Sequence, residues 1–261
     1  MQNSNFNFEK AFFVTTTALR FGGTYHFKGI NILWAFRCLI FFTVSFVVFI
    51  FTSNAVLFYD IPSGNFYEAS KNGAIGVVAI NIMTKYLFLF NNRKLIQDFI
   101  DLVNKDYEVF KKEIPEEKEI VIKYSKKGAR VSTYWLIINI VLNITAPLTA
   151  LLEMSYYYFI SEFKFVPVFD LRYPTRLEII KETQATFSLL FIFWCIFGVC
   201  TAVMLIGFEP LIPIFLTHVC GQLDILSRRM LEIFSHRSDI CAQDRKEKLK
   251  QINVKLQELY K

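Results

Sequence analysis

Between Gln184 and Phe208 the chain reads QATFSLLFIFWCIFGVCTAVMLIGF, without one charged side chain. Water offers such a segment no face to expose, and hydrocarbon admits it only as a helix, because no solvent is there to satisfy a bare backbone. A hydrocarbon core of ~30 Å takes about 20 apolar residues at about 1.5 Å rise each, and three earlier stretches approach that length. Leu33 to Thr52 carries one charge, Arg37, close enough to its start for the guanidinium to reach the interface. Gly73 to Phe90 is interrupted by Lys85 near its end, where the same snorkelling serves. Val131 to Glu153 is charged only at its edge. The expectation is an all-α, polytopic membrane helical bundle, one membrane domain over residues 1–261 with transmembrane helices at 33–52, 73–90, 131–153 and 184–208. The composition agrees: 54% hydrophobic and 17% aromatic residues, among them 29 Phe, exceed what a soluble core uses.

Orientation follows from the 29 Lys and Arg. Lys10, Arg20, Lys28 and Arg37 lie before or at the start of the first span, ten more lie between the second and third, and nine follow the fourth, giving 23 on one side. Lys71, Lys164, Arg172, Arg176 and Lys181 are the five on the other, with Lys85 left inside a span. Positive residues stay in the cytoplasm, so residues 1–32, 91–130 and 209–261 are expected inside and 53–72 and 154–183 outside. The net charge of +6 is split among separate blocks instead of lining one face, which argues against nucleic acid as a partner and for membrane lipid. Lys10, Arg20 and Lys28 are spread through the N-terminal stretch with no apolar core before a cleavage site, so it is not a secretory signal. Its FFVTTTALRFGG fits a short amphipathic segment on the membrane surface.

From Asn91 to Arg130 the apolar residues Leu95, Ile96, Phe99, Ile100, Val103, Tyr107 and Phe110 recur on one helical face. Span two is therefore expected to continue into the cytoplasm until Pro115 breaks the helix. EEKEIVIKYSKKGAR then restarts one that feeds into span three. The outer stretch MSYYYFISEFKFVPVFDLRYP has six aromatics in its first twelve residues, as an interfacial belt requires, and Pro167 and Pro174 oppose regular helix there. A belt alone, or a lid over an outer cavity, would explain it.

Chemistry-bearing motifs are scarce. Cys38, Cys195, Cys200, Cys220 and Cys241 fall in spans or on the cytoplasmic side, where disulfides are not expected, and fit small packing residues. His218 and Cys220 are two apart, on different helical faces, whereas a helical metal pair wants i, i+3 or i+4. No catalytic motif, metal site or cofactor is expected, and hence no enzyme. The sequon Asn143-Ile144-Thr145 lies inside span three, so Asn139, Asn143 and Thr145 fit interhelical hydrogen bonding or a pocket lining. The pairs Gly73 and Gly76, and Gly198 and Ala202, would let helices approach closely. After span four, Pro210 and Pro213 predict a kink. Phe215, Val219, Leu223, Leu226, Met230 and Ile233 then recur as a packing stripe, with Asp224, Arg228, Arg229 and Glu232 off it.

LIPIFLTHVCGQLDILSRRM, in which a His and then Gly-Gln precede a Leu-rich basic helix, resembles the lower end of the fourth span in the insect odorant receptor family. ALRFGGTYHF before span one and FDLRYP in the outer loop extend the resemblance. It implies seven spans, a cytoplasmic N terminus and a ligand-sensing subunit of a ligand-gated cation channel. The subunit would assemble with a co-receptor, in an expected tetramer, in the plasma membrane of olfactory sensory neurons. The four spans present and the unterminated pattern Leu249, Ile252, Leu256, Leu259 then suggest a partial sequence without the pore helix.

The resemblance also implies a cavity for a small volatile hydrophobic ligand in the outer half of the bundle. By topology its lining would be Val77, Ile80 and Asn81 on span two, Thr145, Leu148, Leu151 and Glu153 on span three, and Phe187, Leu190, Phe191 and Trp194 on span four. Val219, Leu223, Leu226 and Met230 would pack helices or subunits. A gustatory-type chemoreceptor would share the topology. A transporter fragment would be expected to show an internal repeat or helices broken at mid-membrane; no repeat is visible, and Pro147 is the one proline at such a depth.

Overall fold

The computed structural model describes residues 7–25, 32–110, 115–160, 162–235 and 242–259. Two short helices, α1 (Phe8–Ala11) and α2 (Phe13–Phe21), precede α3 (Ile32–Ala55), which runs on through a π-helical turn, Val56–Asp60. Then come α4 (Phe66–Asn91), α5 (Arg93–Phe110), α6 (Pro115–Ile160), the short α7 (Thr175–Ile180), α8 (Gln184–Phe208), α9 (Leu211–Phe234) and α10 (Ala242–Leu259). No strand occurs among the described residues. Four helical stretches, Trp34–Asp60, Phe66–Asn91, Pro115–Ile160 and Gln184–Phe234, are long and apolar enough to cross a membrane. The chain is a polytopic helical membrane bundle.

Local chemistry sets the breaks. Pro115 opens α6 at the position where its missing N–H costs nothing, with Glu116 and Glu117 in the first turn where the helix dipole favours acids. From there α6 runs for 46 residues through Pro147, so the helix after Pro115 and span three are one element. α8 closes with the Glu209 N–H donating to the Leu205 carbonyl, and α9 begins after Pro210, with Pro213 confined to its first turn. The aromatic residues up to Ile160 stay helical, and the non-helical part of the segment between α6 and α7 lies beyond them.

The described residues divide into two compact units. The larger, from Val14–Gln97 and Tyr134–Glu209, packs α3 closely against α4. Gly76 permits this: a Cβ there would stand 2.8 Å from the Thr52 hydroxyl oxygen, while Gly73 faces open space. Asn143 fills the room left by Gly198, whose Cβ would meet its Oδ1 at 3.2 Å. Two charges expected to snorkel find partners here. Arg37 donates to the Arg20 carbonyl at 3.0 Å, and Lys85 is ion-paired with Glu209 and lies over the Phe208 ring. The polar cluster of span three bonds backward along its own helix instead of across to another: Asn139 donates to the Trp135 carbonyl, Asn143 to Asn139 and Thr145 to Val141.

The smaller unit takes the described residues of Met1–Phe13, Asp98–Thr133 and Pro210–Lys261. Phe8 of α1 and Phe12, its C-cap, are buried in it, and the Phe8 N–H donates to Asn104 of α5 at 2.8 Å. Glu117, itself buried, receives the partly exposed Arg229 through two bonds of 2.7 Å, a bidentate pair. Ile252 of α10, with Leu249 and Leu256 beside it, packs on Leu226 and Ile233 of α9.

The buried stripe of α9 is turned from the expected one. Leu211, Ile214, His218, Gly221, Gln222, Ile225, Leu226 and Ile233 face inward. Leu226 is 5% exposed, whereas Leu223 and Met230 are each 40% exposed and Val219 is half-buried. Gly221 explains part of the rotation, because a Cβ there would meet Tyr124 at 3.3 Å. His218 explains the rest. Its Nε2 lies 3.1 Å from Asp106 on α5, and Asp106 also accepts from Lys255 on α10 at 2.9 Å. Burial alone would raise the Asp106 carboxyl, but the His218 and Lys255 hydrogen bonds outweigh it and hold it below its ordinary range. Tyr107, edge-on to the His218 ring, is pushed up to about 12 by burial, against the lowering effect of a hydrogen bond with Ser125. His218 is thus a buried link in a polar network, not apolar filling, and Cys220 is exposed. Cys38, Cys195 and Cys200 are free thiols, and Cys241 lies outside the described residues, as does Lys28.

Candidate functional site

In the larger unit the C-terminal end of α6, the loop that follows it and the start of α8 enclose a cavity of about 680 Å³. That is within the ~300–1,000 Å³ typical of small-molecule sites. The α6 wall is Ala146, Thr149, Ala150, Glu153 and Tyr157, the stripe of residues three and four apart that turns inward. The α8 wall is Phe187, Leu190, Phe191 and Trp194. Between them the loop contributes Lys164 through Leu171 and Tyr173, and Lys181 and Glu182 complete the rim.

Aromatic contacts fix the loop on the helices. Phe165 packs on Phe187 with centroids 4.6 Å apart, and Phe169 meets Trp194 edge-on at 4.9 Å. The Trp194 indole N–H donates to the Tyr173 hydroxyl at 2.9 Å, between side chains that are both nearly solvent-free. Glu178 clamps the same turn by accepting from the Tyr173 backbone N–H at 2.9 Å and from Lys181 at 2.6 Å. Burial raises the Tyr173 phenol, with the charges of Glu178 and Asp170 acting the same way and the Trp194 bond opposing them. Its proton therefore stays in place at neutral pH.

Of the residues expected around a ligand, Phe187, Leu190, Phe191, Trp194 and Glu153 line this cavity. Val77, Ile80, Asn81, Thr145, Leu148 and Leu151 do not; all six are exposed on the surface of the larger unit. On span three the cavity-lining residues lie at the expected depth on a different helical face from Thr145, Leu148 and Leu151. A usable sign was side-chain volume: Ala146, Thr149 and Ala150 leave room for a cavity, while the bulky Leu148, Leu151 and Leu152 stand outside. The loop residues carried an aromatic excess but nothing that assigned each to a wall.

Among the described residues no cluster of three or more His, Cys, Asp or Glu could hold a metal ion. No curated protein matches the chain. The family described as 7tm Odorant receptor matches residues 65–260, which take in the whole cavity and three of the four candidate spans. The N-terminal ALRFGGTYHF precedes the matched part. That family is not an enzyme family, and a chemoreceptor role goes with it. With some three quarters of its length in the match, and with helices that form a multi-pass membrane bundle, the chain belongs to the odorant receptor family.

Proposed function

We propose that the outer cavity binds small volatile odorants. The chain would then be the odorant-sensing subunit of a ligand-gated cation channel formed with a co-receptor in the plasma membrane of olfactory sensory neurons. The observation that carries the binding step is the cavity itself, about 680 Å³ walled by Phe165, Phe187, Phe191 and Trp194 and lined also by Tyr157 and Tyr173. Such a wall holds a ligand by apolar area, at roughly 25 cal/mol per Å² buried. The phenols of Tyr157 and Tyr173 on this wall can orient a carbonyl or hydroxyl oxygen, which favours esters, ketones and alcohols with a hydrocarbon body over bare hydrocarbons of the same size. Channel gating and co-receptor assembly rest on family membership.

Trp194 supplies the test. It is one of three Trp in the chain, so its fluorescence in the detergent-purified protein reports cavity occupancy. A panel of volatile esters, ketones and alcohols should include members that change emission saturably. The change should persist in Trp135→Phe and vanish in Trp194→Phe. Phe191→Ala should weaken binding about tenfold or more. A panel without any saturable response, or a Phe191→Ala variant that binds like the parent, would remove the cavity as an odorant site.

A further inference from the structure

The first turns of α6 carry Lys123, Lys126, Lys127 and Arg130, all exposed. At 3.6 residues per turn these four fall within an arc of about 100°, and the buried Val121, Ser125, Gly128 and Ser132 centre on the opposite side. Gly128 locks that rotation. A Cβ there would meet Phe12 and Thr217 at 3.0 Å, so the buried face is pressed on α1 and α9 and the basic face must point outward.

The charges are poorly compensated. Glu117 turns inward to Arg229, and Glu119, one turn before Lys123, makes no ion pair with it. From Ile120 to Leu152 the helix has no other acid. Lys127 lies over the Tyr124 ring at 4.9 Å, and Tyr124 is hydrogen-bonded to Asp224 on α9, so one carboxylate stands behind this edge of the face. α10 is different: Asp244 and Glu247 are interleaved with Arg245, Lys246, Lys248 and Lys250, as solvation alone requires.

Position supplies the partner. The uncharged run of span three begins at Val131, so Arg130 stands at the edge of the hydrocarbon. Lys126 and Lys127 lie about 5 Å further out along the helix and Lys123 about 10 Å. That range covers the headgroup layer, about 5–8 Å deep on each side. The 23 to 5 bias of basic residues assigns this end to the cytoplasmic leaflet, the one that carries anionic lipid. We propose that Lys123, Lys126, Lys127 and Arg130 form a docking face for the anionic headgroups of cytoplasmic-leaflet phospholipids.

Spin-labelled phosphatidylserine and phosphatidylcholine, each added to nanodiscs holding the full chain, give the relative association of the two lipids with the protein. The parent should prefer phosphatidylserine, and each charge changed to Gln should lower that preference about fivefold at low salt. Replacing the three Lys by Arg should retain it. The same number of changes on α10, Arg245→Gln, Lys246→Gln, Lys248→Gln and Lys250→Gln, should leave it unchanged. All these side chains are exposed, and an unaltered melting temperature verifies the fold of each variant. Equal selectivity in the parent and the α6 variant would overturn the proposal, and so would an equal loss in the α10 variant, which would reduce the effect to net charge. Displacement of the lipid by glycerophosphoserine at matched concentration would reassign the face to soluble phosphates and overturn the lipid partner.

Discussion

Asp106 is the residue on which three helices of the smaller unit converge, and Asp106→Asn isolates what its charge contributes. The substitution keeps shape and one acceptor oxygen but cannot serve the His218 Nε2 and the Lys255 ammonium as a carboxylate does. Taking the charge from a buried carboxylate that holds two hydrogen-bond partners costs at most about 3–5 kcal/mol. Lys255 is partly exposed, which reduces its share to that of a surface pair, about 1 kcal/mol or less. The retained amide oxygen recovers part of the rest, leaving about 2–3 kcal/mol. For a chain of this size about 1 kcal/mol corresponds to about 2–4 °C, so the melting temperature in detergent should fall by about 4–12 °C. Lys255→Gln should cost no more than about 4 °C. The loss should also be local: trypsin should cut sooner at Arg245, Lys246 and Lys248 in the Asn variant, because α10 is held to α5 through this carboxylate. The acid limb carries a sign. A carboxyl held below its ordinary value stabilises the fold above the unfolded value, about 3.9, and loses that contribution as pH falls through the folded one. The parent should therefore lose stability below about pH 4 more steeply than Asp106→Asn, and the two curves should converge. A variant with parental melting, parental trypsin resistance and a parallel acid limb would refute the network as the fastening of α10.

The other expectations are shorter. Leu226→Ala should cost about 2–5 kcal/mol and Leu223→Ala under about 1, and denaturation of the two variants compares the observed stripe of α9 with the expected one. Gly76→Leu should prevent α3 and α4 from reaching their contact and lower folded yield on size exclusion, whereas Gly76→Ala with Thr52→Ala should restore it. Trp194→Phe leaves the buried Tyr173 hydroxyl without its donor, at about 1–3 kcal/mol, so tryptic cleavage at Lys164 and Arg172 should accelerate; unchanged cleavage would mean that the rings alone hold the loop.

The spans were legible because hydrocarbon imposes a single demand, continuity of apolar residues, and QATFSLLFIFWCIFGVCTAVMLIGF meets it without interpretation. Pro115 and Pro210 were equally plain as helix boundaries. Helical phase was not, because inside a membrane both the lipid face and the protein face of a helix are apolar. Leu148 and Ala150 differ little in polarity and entirely in what they face. The same weakness rotated α9. Counting Leu223 and Met230 as core and His218 as incidental follows the hydrophobicity of the side chains, yet Gly221 and the Asp106 carboxylate set the helix the other way. A partner 112 residues distant leaves no local trace. The cavity was approachable from α8, whose aromatics are dense enough that any inward phase includes several. On α4 there was no such redundancy, and Val77, Ile80 and Asn81 do not line the cavity.

The pairing of Lys85 with Glu209 also imposes an order in time. The two residues are 124 apart in the chain, and a ribosome adding about 5–20 residues per second needs about 6–25 s to deliver the second after the first. During that interval α4 has already emerged with an ammonium group and no carboxylate to meet it. Lys85 sits in the penultimate turn of α4, near enough to the end for its long stem to reach the headgroups. Snorkelling is therefore the provisional arrangement and the ion pair the final one, so the larger unit cannot be completed until the end of α8 has been synthesised.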